Sequence, residues 1–173
     1  MSSDPIYDPS AIANFFLDSA DEDGVHITQM KLQKLVYIGY GWVSALLDRK
    51  LFEEPFQAWQ HGPVVESLYH EFKHFRAEPI SSRSGNFDLD SGEFTESRIR
   101  PDDESILVVL GRVWDVYSHF SAAALRDKTH EAGTPWSNAW KNGVRNQTLK
   151  DADISPHFLT KIKGYLSEPV QQS

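Results

Sequence analysis

Between Thr28 and Lys50 the chain reads TQMKLQKLVYIGYGWVSALLDRK, and no other stretch limits the possible fold so strongly. Leu32, Leu35, Val36, Val43, Leu46 and Leu47 recur at helical spacing, and Thr28 is placed to cap the first turn. A helix of this length and apolarity must be covered by other elements, so the chain has to build a core around it. Gly39 and Gly41 lie inside it, each costing about 1 kcal/mol relative to alanine. Such a cost is tolerable where another backbone packs closely; the alternative is a local kink. Lys31 and Lys34, with Asp48 and Arg49, read as the wet side of the same helix.

The remaining segments supply the cover. DPSAIANFFLDSADEDG is a short helix with Asp8 or Ser10 as cap and Ile12, Phe15 and Phe16 on its apolar side. PFQAWQHGP is a short extended segment, with Gly62-Pro63 turning into a helix whose first turn Pro63 suits. PDDESILVVLGRVWDVYSHF places Ile106, Val109, Leu110, Val113, Val116, Tyr117 and Phe120 in one stripe behind an acidic first turn. SAAALRDKTHE, with Ser121 as the candidate cap at its head, continues as a second helix, and TPWSNAWKNG is a proline-started turn of helix. A last helix is expected to start at Ser155-Pro156, as N-cap and first residue. Residues 78–100 are rich in Ser and Gly and predict an irregular loop with one or two weak strands. The expected class is mainly α (α+β): one compact multi-helix domain over 1–173, core about 10–166, with a small β element and one long irregular loop.

Composition narrows function. With no cysteine among 173 residues, disulfide frameworks, thiolate zinc sites and thiol nucleophiles are excluded. The net charge of −8 and the lack of a Lys/Arg-rich block argue against nucleic acid as partner. No apolar run approaches bilayer length, and the first residues lack a basic segment followed by an apolar one, so a cytoplasmic protein without a membrane contact is expected. No G-x-S-x-G elbow, P-loop or G-x-G-x-x-G occurs, and no cofactor is expected.

One string does suggest chemistry. His70-Glu71-Phe72-Lys73-His74 spells the H-E-x-x-H of zinc metalloproteases, in which two imidazoles hold the metal and the glutamate polarises its water. On a helical projection Val64, Val65, Leu68, Tyr69, Phe72 and Phe75 cover one arc, with His70 and His74 together nearly opposite it. That face meets solvent. No metzincin continuation follows, although Glu93, Glu96 and Glu104 stand downstream as conceivable third ligands. The expectation is therefore no metal site and no catalytic residue, against the alternative of a zinc-dependent hydrolase built on His70, Glu71 and His74.

Two further constellations remain. In AWQHGPV, Trp59 and His61 stand beside a rigid Gly62-Pro63 turn, either as a binding anchor or as a core tryptophan with a hydrogen-bonded histidine. In LRDKTHEAGTPW, His130 ends one helix, where it can serve orphan carbonyls, and Trp136 starts the next and can fold back over it.

Taken in order, KLQKLVYIGYGW from Lys31, the AWQHGPV segment, and THEAGTPW resemble the Panacea domain, or SocA-like antitoxin, family. Its pattern has a K-L-Q-K-L-x-Y helix, an A-W-x-x-G-P-V segment and a T-H-x-x-x-x-P-W close. The matching positions are Lys31, Leu32, Gln33, Lys34, Leu35, Tyr37, Ala58, Trp59, Gly62, Pro63, Val64, Thr129, His130, Pro135 and Trp136. The resemblance implies a small protein of bacteria, phages or mobile elements that is not an enzyme. It implies neutralisation of a cognate toxin, encoded nearby, by direct protein–protein interaction, and a role in presenting that toxin to a protease. Trp59, His61, Pro63, His130 and Trp136 are the residues expected to meet the partner. The 78–100 stretch carries no family motif and is where partner choice would be tuned.

Overall fold

Helix α2 (Gln29–Leu47) is buried on every side from Lys31 to Val43. This is more than the one-sided stripe its spacing predicts, and it makes α2 the axis of the molecule. In the computed structural model, which describes Asp4 and residues 6–167, α1 (Pro9–Asp23), α4 (Glu104–Tyr117), α5 (Ala122–His130) and α7 (Asp151–Ser167) pack around it. The architecture is mainly α, with two small antiparallel hairpins. The ends of the 1–173 span lie outside the described residues.

The two glycines of α2 answer the question their cost raises. A Cβ on Gly41 would sit 2.0 Å from the Phe158 ring of α7, and one on Gly39 would sit 2.8 Å from Leu110 of α4. Close approach is thus the reason for both. Around this axis Tyr37 packs edge-on against Phe56 and Phe158, and Tyr40 against Phe56, forming an aromatic core.

Helix ends follow local chemistry. Asp8 caps α1, and Gly24 closes it in the left-handed conformation. Thr28, Ser121 and Thr134 cap α2, α5 and α6 (Pro135–Ala139) through their side-chain oxygens. The acidic start of α4 is used differently. Asp103 accepts a bidentate pair of bonds from Arg49, at 2.8 and 2.9 Å, and another from the Tyr7 hydroxyl at 2.6 Å. Arg49 is therefore not on a wet face: its side chain is 11% exposed, and its guanidinium holds the Asp103 carboxyl below the usual carboxylate range. In α4 itself Trp114, whose Nε1 donates to Asp23 at 2.6 Å, takes the inward position that the stripe assigned to Val116, which is exposed.

Two proline assignments need correction. Pro63 lies in strand β2 (Gly62–Val64), paired with β1 (Gln57–Trp59), and α3 (Glu66–Phe72) begins only beyond it. The backbone stays extended there because side chains of α2 claim its polar groups, as described below. Pro156 lies inside α7, which starts a turn earlier, at Asp151. That added turn is held by Asp151, which accepts from the Tyr40 hydroxyl at 2.8 Å and pairs with Lys50, and by the buried Ile154.

The 78–100 stretch contains the two weak strands expected of it, β3 (Gly85–Phe87) and β4 (Phe94–Glu96), paired as a hairpin. Its base is tied down. The buried Asn14 amide donates to the carbonyls of Ser84 and Ser97 and accepts from the Ser84 N–H. Arg83 and Arg98 bind Asp18, and Arg83 also binds Asp21.

Candidate functional site

The β1–β2 turn is built from α2 outward. Gln33 is buried, and its amide forms a two-way clamp with Val65, donating to the carbonyl at 3.1 Å and accepting from the N–H at 2.9 Å. An amide matches the backbone donor and acceptor of one residue at once, which is the chemical reason for glutamine here. One residue on, the Lys34 ammonium donates to the Pro63 carbonyl at 3.2 Å. Gly62, at φ 114°, lies directly over that lysine: a Cβ there would meet Lys34 Cε at 2.5 Å. The positive φ and the contact each demand glycine. Lys31 reaches the other way, donating to the Ser118 carbonyl at the end of α4 at 2.5 Å, where a cation also suits the helix dipole.

Lys31 and Lys34 are thus not the wet side of α2; Lys34 is only 1% exposed. Burial, reinforced by the Arg126 charge, pushes the Lys34 ammonium down to about 7. Lys34 is the residue the sequence reading missed. The signal available was the placement of two lysines within a helix apolar enough to need covering all round.

The third motif locks onto the second. Trp136 Nε1 donates to the Trp59 carbonyl at 2.7 Å, and His130 stacks flat on Trp136 with ring centroids 3.8 Å apart. Trp140 also stacks on Trp136, at 5.1 Å between centroids. Trp136 does fold back over His130, as the spacing allows. The His130 imidazole is held below its usual range, first by burial and then by the positive charges of Lys34 and Arg126, and its Nε2 is buried without a hydrogen-bond partner among the described residues. Neutral imidazole stacking on indole suits those conditions.

Of the five residues singled out, the structure brings Trp59, Pro63, His130 and Trp136 into one interlocked group, with Pro63 and Trp136 buried. His61 is exposed at the tip of the turn beside Gln60. Trp59 is half-buried, fixed through its Nε1 to Gln57 Oε1 at 2.8 Å and edge-on against Tyr69 at 4.8 Å. Trp59, Gln60 and Tyr69 form a ridge between two open grooves. The first, about 1170 Å³, is walled by His130, Trp136, Trp140 and the 141–146 segment. The second, about 770 Å³, lies against α2 and α5.

His70 and His74 both face solvent. They do not share a regular α-helix, because α3 ends at Phe72 and His74 belongs to the 3₁₀ turn Lys73–Phe75. His70 Nε2 lies 3.6 Å from Glu66, and the His74 ring lies against Phe75. Among the described residues, no three His, Asp or Glu side chains are grouped to hold a metal ion.

A family model described as "Antitoxin SocA-like, Panacea domain" matches residues 32–137. That stretch opens inside KLQK and closes just past Trp136, so it spans the interlocked frame. The curated protein named Antitoxin SocA, from Caulobacter vibrioides (strain NA1000 / CB15N), is 32% identical over 135 residues, covering 75% of this chain and 68% of its own. No solved structure matches the chain. Among the described residues, no helix is long and apolar enough to cross a membrane.

Proposed function

The chain belongs to the antitoxin SocA-like, Panacea-domain family, and from that membership we propose that it binds a cognate toxin directly and neutralises it without catalysis. The observation that carries the reading is the exposed Trp59–His61 ridge between two grooves, set on a frame made of the family's own motif residues. A tryptophan anchored by hydrogen bonds, and so ordered before binding, loses little entropy on contact and suits an interface centre. His61 and Trp59 then touch the partner, while Pro63, His130 and Trp136 hold the ridge in shape. The partner is a protein met in the cytoplasm and not a nucleic acid. Handing the captured toxin to a protease is the further step this role includes. The HEFKH string adds nothing to a hydrolase reading, because its imidazoles are exposed and, among the described residues, no three ligands are grouped there.

The test is co-expression with each neighbouring reading frame. Relief of a growth arrest by the chain, lost with His61→Asp at the ridge tip, is the expected result. A chain that relieves no neighbour's arrest, or a His61→Asp variant that protects as well as the wild type, overturns it. Toxin half-life with and without the chain tests the proteolytic step, and a gel shift with operon DNA tests the exclusion of nucleic acid.

A further inference from the structure

Although the chain carries a net charge of −8, the groove on the α2–α5 side of the ridge gathers Lys34, His61, Arg76 and Arg126 among its lining residues and includes no Asp or Glu. Its remaining walls are largely apolar, with Met30, Val64, Tyr69, Ala122 and Ala123. Two of these cations lack an opposing charge. Lys34 is buried, and its only hydrogen bond among the described residues goes to the neutral Pro63 carbonyl. No carboxylate among the described residues lies within ion-pair distance of Arg76. Arg126 is the exception, sharing Asp127 Oδ1 at 3.0 Å on its own helix. A buried ammonium without a counter-ion is costly to keep, and an arriving anion would supply what the fold withholds.

We propose that this groove receives a segment of the bound toxin that presents an apolar side chain next to a carboxylate. The apolar group rests between Met30, Tyr69 and Ala123, and the carboxylate meets Arg126 with Lys34 behind it. Guanidinium–carboxylate bonds in a partly desolvated site give both strength and direction. This assignment rests on the toxin-binding reading and names the chemistry that one side of the ridge selects.

The first arm needs no toxin. N-acetyl-phenylalanine and its neutral amide are titrated into the whole chain and followed by amide chemical shifts. The carboxylate form should move Ala122, Ala123 and Arg126 and bind at least about tenfold more tightly than the amide; equal binding, or no shift at these residues, overturns the proposal. Arg126→Gln should remove the difference between the two probes; a difference that persists in this variant also overturns it. The second arm uses the neighbour-encoded toxin. Ala123→Glu, a substitution of an exposed helical residue, should weaken capture by at least about thirtyfold through repulsion of the incoming carboxylate. Arg126→Gln should weaken it about tenfold, whereas Glu71→Ala, outside the groove, should not. Circular dichroism confirms that each variant is folded. If wild type and both groove variants capture the toxin equally, the groove assignment falls and the toxin-binding reading stands. If no toxin is captured while the probes behave as expected, the toxin-binding reading falls and the groove's preference for carboxylates stands.

Discussion

KLQK at 31–34 and HEFKH at 70–74 are both short polar strings begun on helices, and they meet opposite fates. In the first, Lys31, Gln33 and Lys34 are all buried, each spending its polar end on a backbone carbonyl from a distant segment. In the second, His70, Glu71, Lys73 and His74 are all exposed. The difference comes from the surroundings of each helix. α2 is enclosed by helices and by the β1–β2 turn, whereas α3 is short, buries Leu68 and Phe72 and sets Tyr69 against Trp59. A polar group inside must find a partner or pay its desolvation in full; a polar group outside has water. The string that resembled chemistry lies exposed on the surface, and the one that resembled surface is buried beneath the candidate site.

The comparison breaks first at Gln33. Replacing it with leucine orphans the buried Val65 N–H and removes one of two bonds to the Val65 carbonyl, which keeps the Tyr69 N–H at 3.1 Å, and should cost about 3 kcal/mol in urea unfolding. That corresponds to a fall in melting temperature of roughly 6–12 °C. A loss under about 1 kcal/mol would mean that water or another group replaces the clamp.

Lys34 sharpens it with the opposite sign. Its ammonium sits at about 7 in the fold, below the 10.5 usual for a lysine in an unfolded chain. Between those values the unfolded chain holds more protons, so Lys34 makes stability rise with pH across that window; below about 7 its penalty is present in full. Lys34→Met should therefore stabilise the protein by about 2 kcal/mol at pH 6, with the advantage shrinking toward pH 10. A variant whose advantage stays constant from pH 6 to pH 10 would show that the lysine is not buried as a charge. Lys31→Met is a smaller change, about 1 kcal/mol of lost stability, the net worth of its one hydrogen bond to the Ser118 carbonyl. Smallest of all, alanine at His70, Glu71 or His74 should shift stability by less than about 0.5 kcal/mol. Added zinc should leave the melting temperature unchanged, and a rise with one equivalent of zinc would restore the metal reading.

Helix boundaries were legible wherever the signal is local. Asp8 and Gly24 bracket α1, Thr28 opens α2, Ser121 opens α5, Pro135 starts α6, and the alternation around Ala58 marks β1. The outward aim of His70 and His74 was legible too, from the apolar arc opposite them. Pro63 and Pro156 misled because proline's preference for a first helical turn is weak beside the bonds that hold β2 extended and begin α7 at Asp151. The candidate site was half legible: its aromatic residues were visible in AWQHGPV and TPW, but not the lysine beneath them.

By itself, then, the amino-acid order determined which segments coil, where most of them start and stop, and which side of α3 meets water. All of these depend on periodicity and on caps within a few residues. Only the tertiary structure decided where the long polar side chains of α2 end. Lys31 and Ser118 are 87 positions apart, and Lys34 and Pro63 are 29 apart. A lysine's flexible stem reaches water or a buried carbonyl equally well, so the choice rests with whichever backbone the completed fold brings alongside.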